Sequence, residues 1–392
     1  MRIRYVLFNA YASGGTTRTV VNQANALCAD HDVEIASIYR HRDKPRFAID
    51  PRVRMVPLTE LRPNGTHRTD PEDSWRPLMR LTRRFPNPMP HRLDHRFPRW
   101  HPQVDLPLLR YFRSARDGIL VTTRPGTNLL AARFAPRRVV RVVQDHVNLA
   151  SYEPELREAI ARAYRRFDAV VTLTEEDRAA YLEALKGSGT RVECIPNGVP
   201  PSRLPPAKLD AKVLIAAGRL TCQKGFDLLL DAFQTVAAKH PDWQLWIFGG
   251  GECRDALAEQ IERLGLTGRA HLKGTTFQLD KKLAAASIYV LSSRFEGMPM
   301  VLLEAMAAGL PPVALDCPTG PAEVITHGRS GLLVPPGDVA ALAAAICELI
   351  EDPAKRRAMG AAALKEVERF SIESVARRWE RLFDELSRER YR

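Results

Sequence analysis

Two glutamates, Glu296 and Glu304, are separated by seven residues in the segment SRFEGMPMVLLEAMAAGLPPVAL, residues 293–315. The first precedes Gly297-Met298-Pro299-Met300; the second lies inside an apolar, alanine-rich run that stops at Gly309. An ionised carboxylate only accepts hydrogen bonds, so two of them in such surroundings suit the binding of hydroxyl groups. Pro299 fits the first position of a helix and Gly309 its stop. Glu296 would then lie in the loop before the helix and Glu304 in its second turn. The helix start at residues 297–300 would aim backbone N–H groups at hydroxyl or phosphate oxygens. The plainer alternative makes Glu304 a solvated helix residue and Glu296 a capping group.

A second set lies upstream, in AAGRLTCQKGFDLLLDAF, residues 216–233. Arg219 follows an apolar run and Lys224-Gly225 opens a helical one. A guanidinium and an ammonium on one strand-to-helix turn form a clamp for a diphosphate; otherwise they are two surface cations. Weaker signals are the turn Ser13-Gly14-Gly15-Thr16, the turn Phe248-Gly249-Gly250-Gly251 and His146, which follows the apolar run VVRVVQ. Neither glycine turn has the GxGxxG spacing.

The elements that must position these residues alternate along the whole chain. Strands are expected at 4–9, 32–38, 53–58, 118–123, 139–144, 169–173 and 191–195, then at 212–218, 244–249, 270–274, 288–292, 312–315 and 331–334. Helical patterns between them include 17–28, 155–167, 226–239 and 340–351. Continuous apolar strands with helical crossovers imply parallel sheets covered on both faces. Proline at 196, 200, 201, 205 and 206 marks a stiff linker. The reading is therefore α/β, with two doubly wound Rossmann-like domains facing one cleft. The first spans 1–204 and includes a C-terminal amphipathic helix, 372–392, which packs back on it through Trp379 and Phe383. The second spans 205–371. Ligands of such sheets bind at the carboxyl ends of the strands.

The 392 residues carry a formal net charge of +12, which favours anionic partners. No apolar run approaches the ~20 residues that span a bilayer. The apolar stretch after Met1 reads as a first strand, not a leader. Six scattered cysteines without CxxC spacing suggest a reducing cytosol. The stretch Trp75–Arg116 holds ten arginines against two aspartates, with aromatics and prolines interspersed. It reads as a solvated irregular insertion, or as a surface for anionic acceptors or lipid headgroups.

Taken in order, Gly218-Arg219-Leu220, Gln223-Lys224-Gly225, the Glu296/Glu304 pair, Ala305–Gly309 and Asp316–Glu323 resemble family 4 of the retaining, nucleotide-sugar-dependent glycosyltransferases, which have the GT-B fold. The likeness is strong from Val213 to Glu351. Upstream it rests on Gly14-Gly15, His146 and Pro196-Asn197-Gly198-Val199, and it does not cover Trp75–Arg116. It implies that Arg219 and Lys224 hold the donor diphosphate and that Glu304 accepts from the ribose. Glu296 and the turn Gly297, Met298, Pro299 and Met300 would hold the donor sugar. Gly14 and Gly15 would approach the phosphate, His146 would lie beside the reacting sugar, and the loop containing Thr276 would meet the base. Catalytic weight falls on His146 and Glu296. No metal or other cofactor is expected, since no DxD-like pair stands at a strand end.

The implied activity moves a hexosyl unit, with retention, from a nucleoside-diphosphate sugar, most commonly a UDP-sugar. The acceptor would be a cell-surface glycan, a polyol-phosphate of the teichoic-acid type, or a lipid-linked glycan. The expected location is cytoplasmic, with peripheral contact at an anionic inner membrane face, and no nucleic acid is expected as a partner. The rival readings are a nucleotide-sugar epimerase of the same fold and a basic membrane- or nucleic-acid-binding module.

Overall fold

A computed structural model describes residues 1–61, 94, 102–202 and 204–391. Met1–Gly198 with Ile372–Arg392 forms one compact unit and Val199–Ser371 a second.

The first unit is built on seven strands: β1 (Arg2–Leu7), β2 (Asp32–Arg40), β3 (Arg54–Glu60), β4 (Ile119–Thr122), β5 (Val140–Gln144), β6 (Ala169–Thr172) and β7 (Arg191–Cys194). Their order is β3-β2-β1-β4-β5-β6-β7, and every pairing is parallel. Successive side chains of a strand point to opposite faces, so one strand feeds two cores. Val6, Leu120 and Val143 join one helical layer, whereas Tyr5, Ile119 and Val142 join the other.

The second unit has six strands: β8 (Val213–Ala217), β9 (Gln244–Phe248), β10 (Ala270–Gly274), β11 (Ile288–Leu291), β12 (Pro312–Leu315) and β13 (Leu332–Val334). They run β10-β9-β8-β11-β12-β13, again all parallel. Each sheet reverses its strand order once, between β1 and β4 and between β8 and β11. A doubly wound sheet opens its ligand crevice at the carboxyl ends beside that reversal.

The last helix, Ile372–Tyr391, returns to the first unit. Val375, Trp379, Leu382, Phe383 and Leu386 fall at helical spacing, and all are buried in the core that also holds Val142 and Val171. Each such large apolar side chain contributes roughly 1.5–3 kcal/mol when fully buried.

The proline-rich stretch, read as a stiff linker, is hydrogen-bonded within the second unit, and the compact units divide at Gly198/Val199, near the expected 204/205. Val199 N–H donates to Phe370 O at 2.9 Å and Ala207 N–H to Ala308 O at 2.8 Å, while the buried Arg356 guanidinium donates to Leu209 O. These bonds fasten the segment to the second unit. Likewise, the end of the arginine-rich stretch is not irregular: Pro102–Ser114 is a helix. Its Val104, Leu108 and Phe112 are fully buried, and the Tyr111 hydroxyl donates to the buried Glu34. Val104, Leu108 and Phe112 are core, because their spacing of four residues lines one helix face. Arg80, Arg83, Arg84, Arg96 and Arg99 of that stretch lie outside the described residues.

Candidate active site

In the second unit two loops meet at the strand-order reversal. One follows β8 and contains Arg219 and Lys224; the other follows β11 and contains Glu296. Hydrogen bonds join them. Gln223 Nε2 donates to Phe295 O at 3.0 Å, Arg294 N–H to Gln223 O at 2.8 Å, and Ser292 Oγ to Lys224 O at 3.0 Å. The Arg294 guanidinium also forks onto both Asp227 oxygens at 2.8 and 2.6 Å. Gly225 lets the loops approach: its φ is 57°, and a Cβ there would stand 2.0 Å from Ser292 O. Any side chain at 225 would push the two loops apart.

The joined loops present one charged pair. Lys224 Nζ donates to Glu296 Oε1 at 2.5 Å, and Ser293 Oγ donates to the same oxygen at 2.5 Å. The Glu296 side chain is 6% exposed and that of Lys224 19%, so the pair is largely shielded from water. Removing one member of a shielded pair strands the other charge, which is more costly than losing a surface salt bridge. A third loop, after β12, fixes the Glu296 backbone. Glu296 N–H donates to Pro318 O at 2.9 Å, Thr319 N–H to Glu296 O at 3.1 Å, and Thr319 Oγ1 to Gly297 O at 3.1 Å. Gly320, at φ 99°, closes that contact; a Cβ there would lie 2.6 Å from Gly297 O.

Pro299 caps the helix Met300–Ala307. Met298 and Met300 are each 6% exposed, so their side chains pack inward. The polar groups left on the 297–300 turn are therefore those of the backbone. Glu304 is half-buried in the second turn. The buried Tyr289 phenol on β11 is pushed well above its ordinary range by burial first, and then by the charges of Glu296 and Glu304. The two carboxylates thus share one neighbourhood. Burial, with Glu296 adding to it, pushes the Cys317 thiol up to about 12, which leaves it inert as a nucleophile.

Arg219 is exposed, and its guanidinium meets no partner among the described residues, so it is available to a ligand. Thr276 lies apart from the strand-order reversal, on the loop after edge strand β10. Its Oγ1 accepts from Gln278 N–H at 3.1 Å, beside Phe277, which is 75% exposed.

The first unit carries the remaining candidates, again at carboxyl strand ends. Gly14 precedes and Gly15 opens the helix Gly15–Leu27 that follows β1. A Cβ at either would meet nothing within 4 Å, so this chain's own packing does not demand glycine there. Bare backbone over a helix start fits the close approach of an anion. Thr19 Oγ1 donates to Asn197 Oδ1 at 2.9 Å and Asn22 Nδ2 to Gly198 O at 3.1 Å, which ties the Pro196–Gly198 motif to that helix.

His146 is half-buried just past β5. Burial, then the nearby Arg124 charge, pushes its imidazole down from 6.5 to about 3. The ring is therefore neutral at ordinary pH. Its Nε2 is buried without a hydrogen-bond partner among the described residues. The preceding Asp145 is buried and accepts from Tyr152 Oη at 2.8 Å, from the Tyr181 hydroxyl, and from Val147 N–H at 3.3 Å. Burial raises its carboxyl, and those hydroxyl donors oppose the rise. This network holds the loop that carries His146.

The structure thus brings Lys224, Glu296, the 297–300 turn and Glu304 together, with Arg219 on the same turn as Lys224. Gly14, Gly15 and His146 belong to the other unit. Sequence reasoning missed Ser293, Thr319, Tyr152 and Tyr181. Ser293 was visible as a polar neighbour of Glu296, but the Asp145–Tyr181 bond spans 36 residues and leaves no local pattern.

Two all-parallel doubly wound units place the chain in the GT-B class. A solved structure of TarM from Staphylococcus aureus superposes with a TM-score of 0.79 at 16% identity, covering 97% of this chain and 99% of that one. Residues 13–203 match the family described as Glycosyltransferase Family 4, and residues 203–366 match Glycosyl transferases group 1. The chain belongs to family 4 of the glycosyltransferases. It is 35% identical, over 98% of its length, to an exopolysaccharide phosphotransferase of Streptomyces coelicolor, and spans 41% of that longer relative. It is 25% identical to the amylovoran biosynthesis glycosyltransferase AmsD of Erwinia amylovora, covering 95% of this chain and 97% of that one.

Proposed function

We propose that this chain transfers a hexosyl unit, with retention, from a nucleoside-diphosphate sugar to a surface glycan, a polyol-phosphate or a lipid-linked acceptor. The observation that carries the reading is the Lys224–Glu296 pair at the strand-order reversal of the second sheet. In the absence of donor, each charge satisfies the other. When a diphosphate arrives, Lys224 exchanges the carboxylate for phosphate oxygens, joined by the unpaired Arg219. Glu296, still held by Ser293, is then released to accept from sugar hydroxyls. Glu304 is suited to the ribose, and the 297–300 backbone to the sugar.

Glycosyl transfer develops positive charge on the sugar and negative charge on the departing diphosphate. Preorganised cations and N–H groups stabilise the second without a divalent metal. Neutral His146, with a free Nε2, suits a hydrogen bond to the reacting sugar, and Gly14 and Gly15 suit the phosphate. Thr276 and its loop would meet the base. The carboxylates position hydroxyls; they are not the acid–base pair of a hydrolase.

A UDP-hexose is the favoured donor. The amylovoran relative and the TarM structure, whose crystals held UDP, support that choice and a cell-envelope acceptor. The proposed location is cytoplasmic, with peripheral contact at the inner face of the cell membrane. Among the described residues no helix is long and apolar enough to cross a membrane.

A thermal-shift panel of UDP, GDP, ADP and their sugars tests the reading. One nucleoside diphosphate and its sugar should raise Tm, and Lys224→Ala should lose most of that shift. A wild-type protein indifferent to every nucleotide would overturn it. Product analysis without an acceptor separates transfer from epimerisation.

A further inference from the structure

The first unit carries a basic concavity at the opposite end of its sheet from Gly14, Gly15 and His146. Its volume is about 680 Å³, and its walls come from residues entering β5, β6 and β7 and from the end of the last helix. Six arginines line it against two carboxylates. One of those carboxylates, Asp168, is already engaged: it accepts from Arg141 N–H at 2.7 Å and from the Arg390 guanidinium. Arg390 also donates to Arg137 O at 2.6 Å, which fixes it in the wall.

Arg141 is the informative residue. It is 7% exposed, and its Nε is buried without a hydrogen-bond partner among the described residues. Burial disfavours its charged form. Asp168 offsets part of that, whereas the charges of Arg390, Arg137 and Arg166 add to it. A shielded guanidinium whose Nε lacks an acceptor among the described residues, and which faces like charges, is costly to maintain. The missing acceptor and the missing negative charge are what an oxyanion would bring. Arginine's planar fork matches phosphate oxygens in bidentate geometry. Arg165 and Arg166 are exposed at the rim, placed to hold a second phosphate oxygen set.

We propose that this concavity binds a phosphate-bearing anion, with Arg141 at its floor and Arg137, Arg165, Arg166 and Arg390 around it. The site is separate from the Arg219/Lys224 turn, which belongs to the other unit. It is also separate from His146: Arg141 and Gln144 stand at opposite ends of β5, roughly 10 Å apart by strand rise. The inference does not depend on the glycosyl-transfer reading. The phosphate could belong to a lipid headgroup or to a soluble phosphorylated glycan; the recognition chemistry is the same.

Titration calorimetry with inorganic pyrophosphate at constant ionic strength tests it. The experiment uses full-length protein carrying Arg219→Ala and Lys224→Ala, so that the proposed donor clamp contributes nothing. Saturable binding near one per chain is expected, and adding Arg165→Ser with Arg166→Ser should weaken it by about tenfold or more, the scale of lost charged hydrogen bonds. Both added positions are exposed, so folding should be retained; Arg141→Met is the stronger but riskier variant. No saturable binding at millimolar pyrophosphate, or unchanged affinity in the double-serine variant, overturns the site. Co-sedimentation with phosphatidylcholine vesicles, with and without phosphatidylglycerol, distinguishes the sources. Capture that pyrophosphate competes away assigns a headgroup. Pyrophosphate binding without capture assigns a soluble ligand.

Discussion

The two units use the same sheet geometry but equip their strand ends differently. At the reversal in the second sheet the polar groups are ions, with Lys224 against Glu296 at 2.5 Å and Arg219 on the same turn without a partner among the described residues. At the strand ends of the first sheet the candidate groups are neutral, with the Arg124 charge nearby. His146 is held uncharged, and Gly14 and Gly15 offer backbone alone. The buried carboxyl nearby, Asp145, is covered by tyrosine hydroxyls. Under the proposed transfer, the departing diphosphate would meet fixed positive charge in the second unit. The candidate groups of the first unit would add no positive charge beside a sugar that itself becomes cationic.

The largest effect expected from breaking this contrast is at Lys224. Lys224→Ala should lower kcat/KM by about two orders of magnitude or more. It should also destabilise the second unit by about 3 kcal/mol, because Glu296 loses its counter-charge. Adding Glu296→Gln should restore stability without restoring turnover. Steady-state kinetics and urea melts read both, and wild-type turnover in the single variant would remove Lys224 from the mechanism.

On the neutral side, Tyr181→Phe takes one hydroxyl donor from buried Asp145. Unfolding free energy should fall by about 1–3 kcal/mol. A much smaller loss of activity should follow through the His146 loop. Chemical denaturation measures the first, and an unchanged midpoint would show that Asp145 is satisfied otherwise.

A weaker effect concerns pH. His146 titrates near 6.5 when unfolded but at about 3 when folded. Between those values the unfolded chain binds a proton that the native chain refuses. The His146 contribution to stability is therefore fully present above pH 6.5, and it declines as pH falls towards 3. His146→Asn should flatten that part of a pH–stability profile, and an identical slope in the variant would contradict the assignment.

The smallest effect is expected from chelation. Turnover should persist in excess EDTA, since on the proposed reading Arg219 and Lys224 supply the charge that a metal would. Among the described residues a three-donor group does exist, His240, Cys347 and Glu351. It lies at the far end of the helix Phe226–Lys239 from the Lys224 turn. An absolute requirement for magnesium or manganese would shift leaving-group stabilisation away from the two cations.

Much of this protein was legible before any coordinate. The helix at 226–239 and the strands at 270–274 and 312–315 agree with the expected bounds, and the other strands differ by a residue or two. Continuous apolar runs, periodic apolar helix faces and glycine or proline punctuation are local signals, and local signals survive in a linear chain. The loop positions of Arg219, Lys224 and Glu296 were legible for the same reason, since each follows a recognisable strand.

Tertiary structure decided what depends on partners distant along the chain. That Lys224 and Glu296 form a shielded pair rests on β8 and β11 being neighbours, a pairing of residues 72 positions apart. Asp145 meets Tyr181, and Arg141 Nε is left without an acceptor among the described residues, only once β5, β6 and β7 lie side by side. The stretch after Val199 looked like a spacer because its prolines resist regular structure. It is held instead by hydrogen bonds that Val199 and Ala207 donate to the Phe370 and Ala308 carbonyls and that Leu209 O accepts from Arg356, residues that the sequence places far away. Composition specifies what a segment can become on its own; which groups end up shielded, and with whom, is set by strand order, which no local window contains.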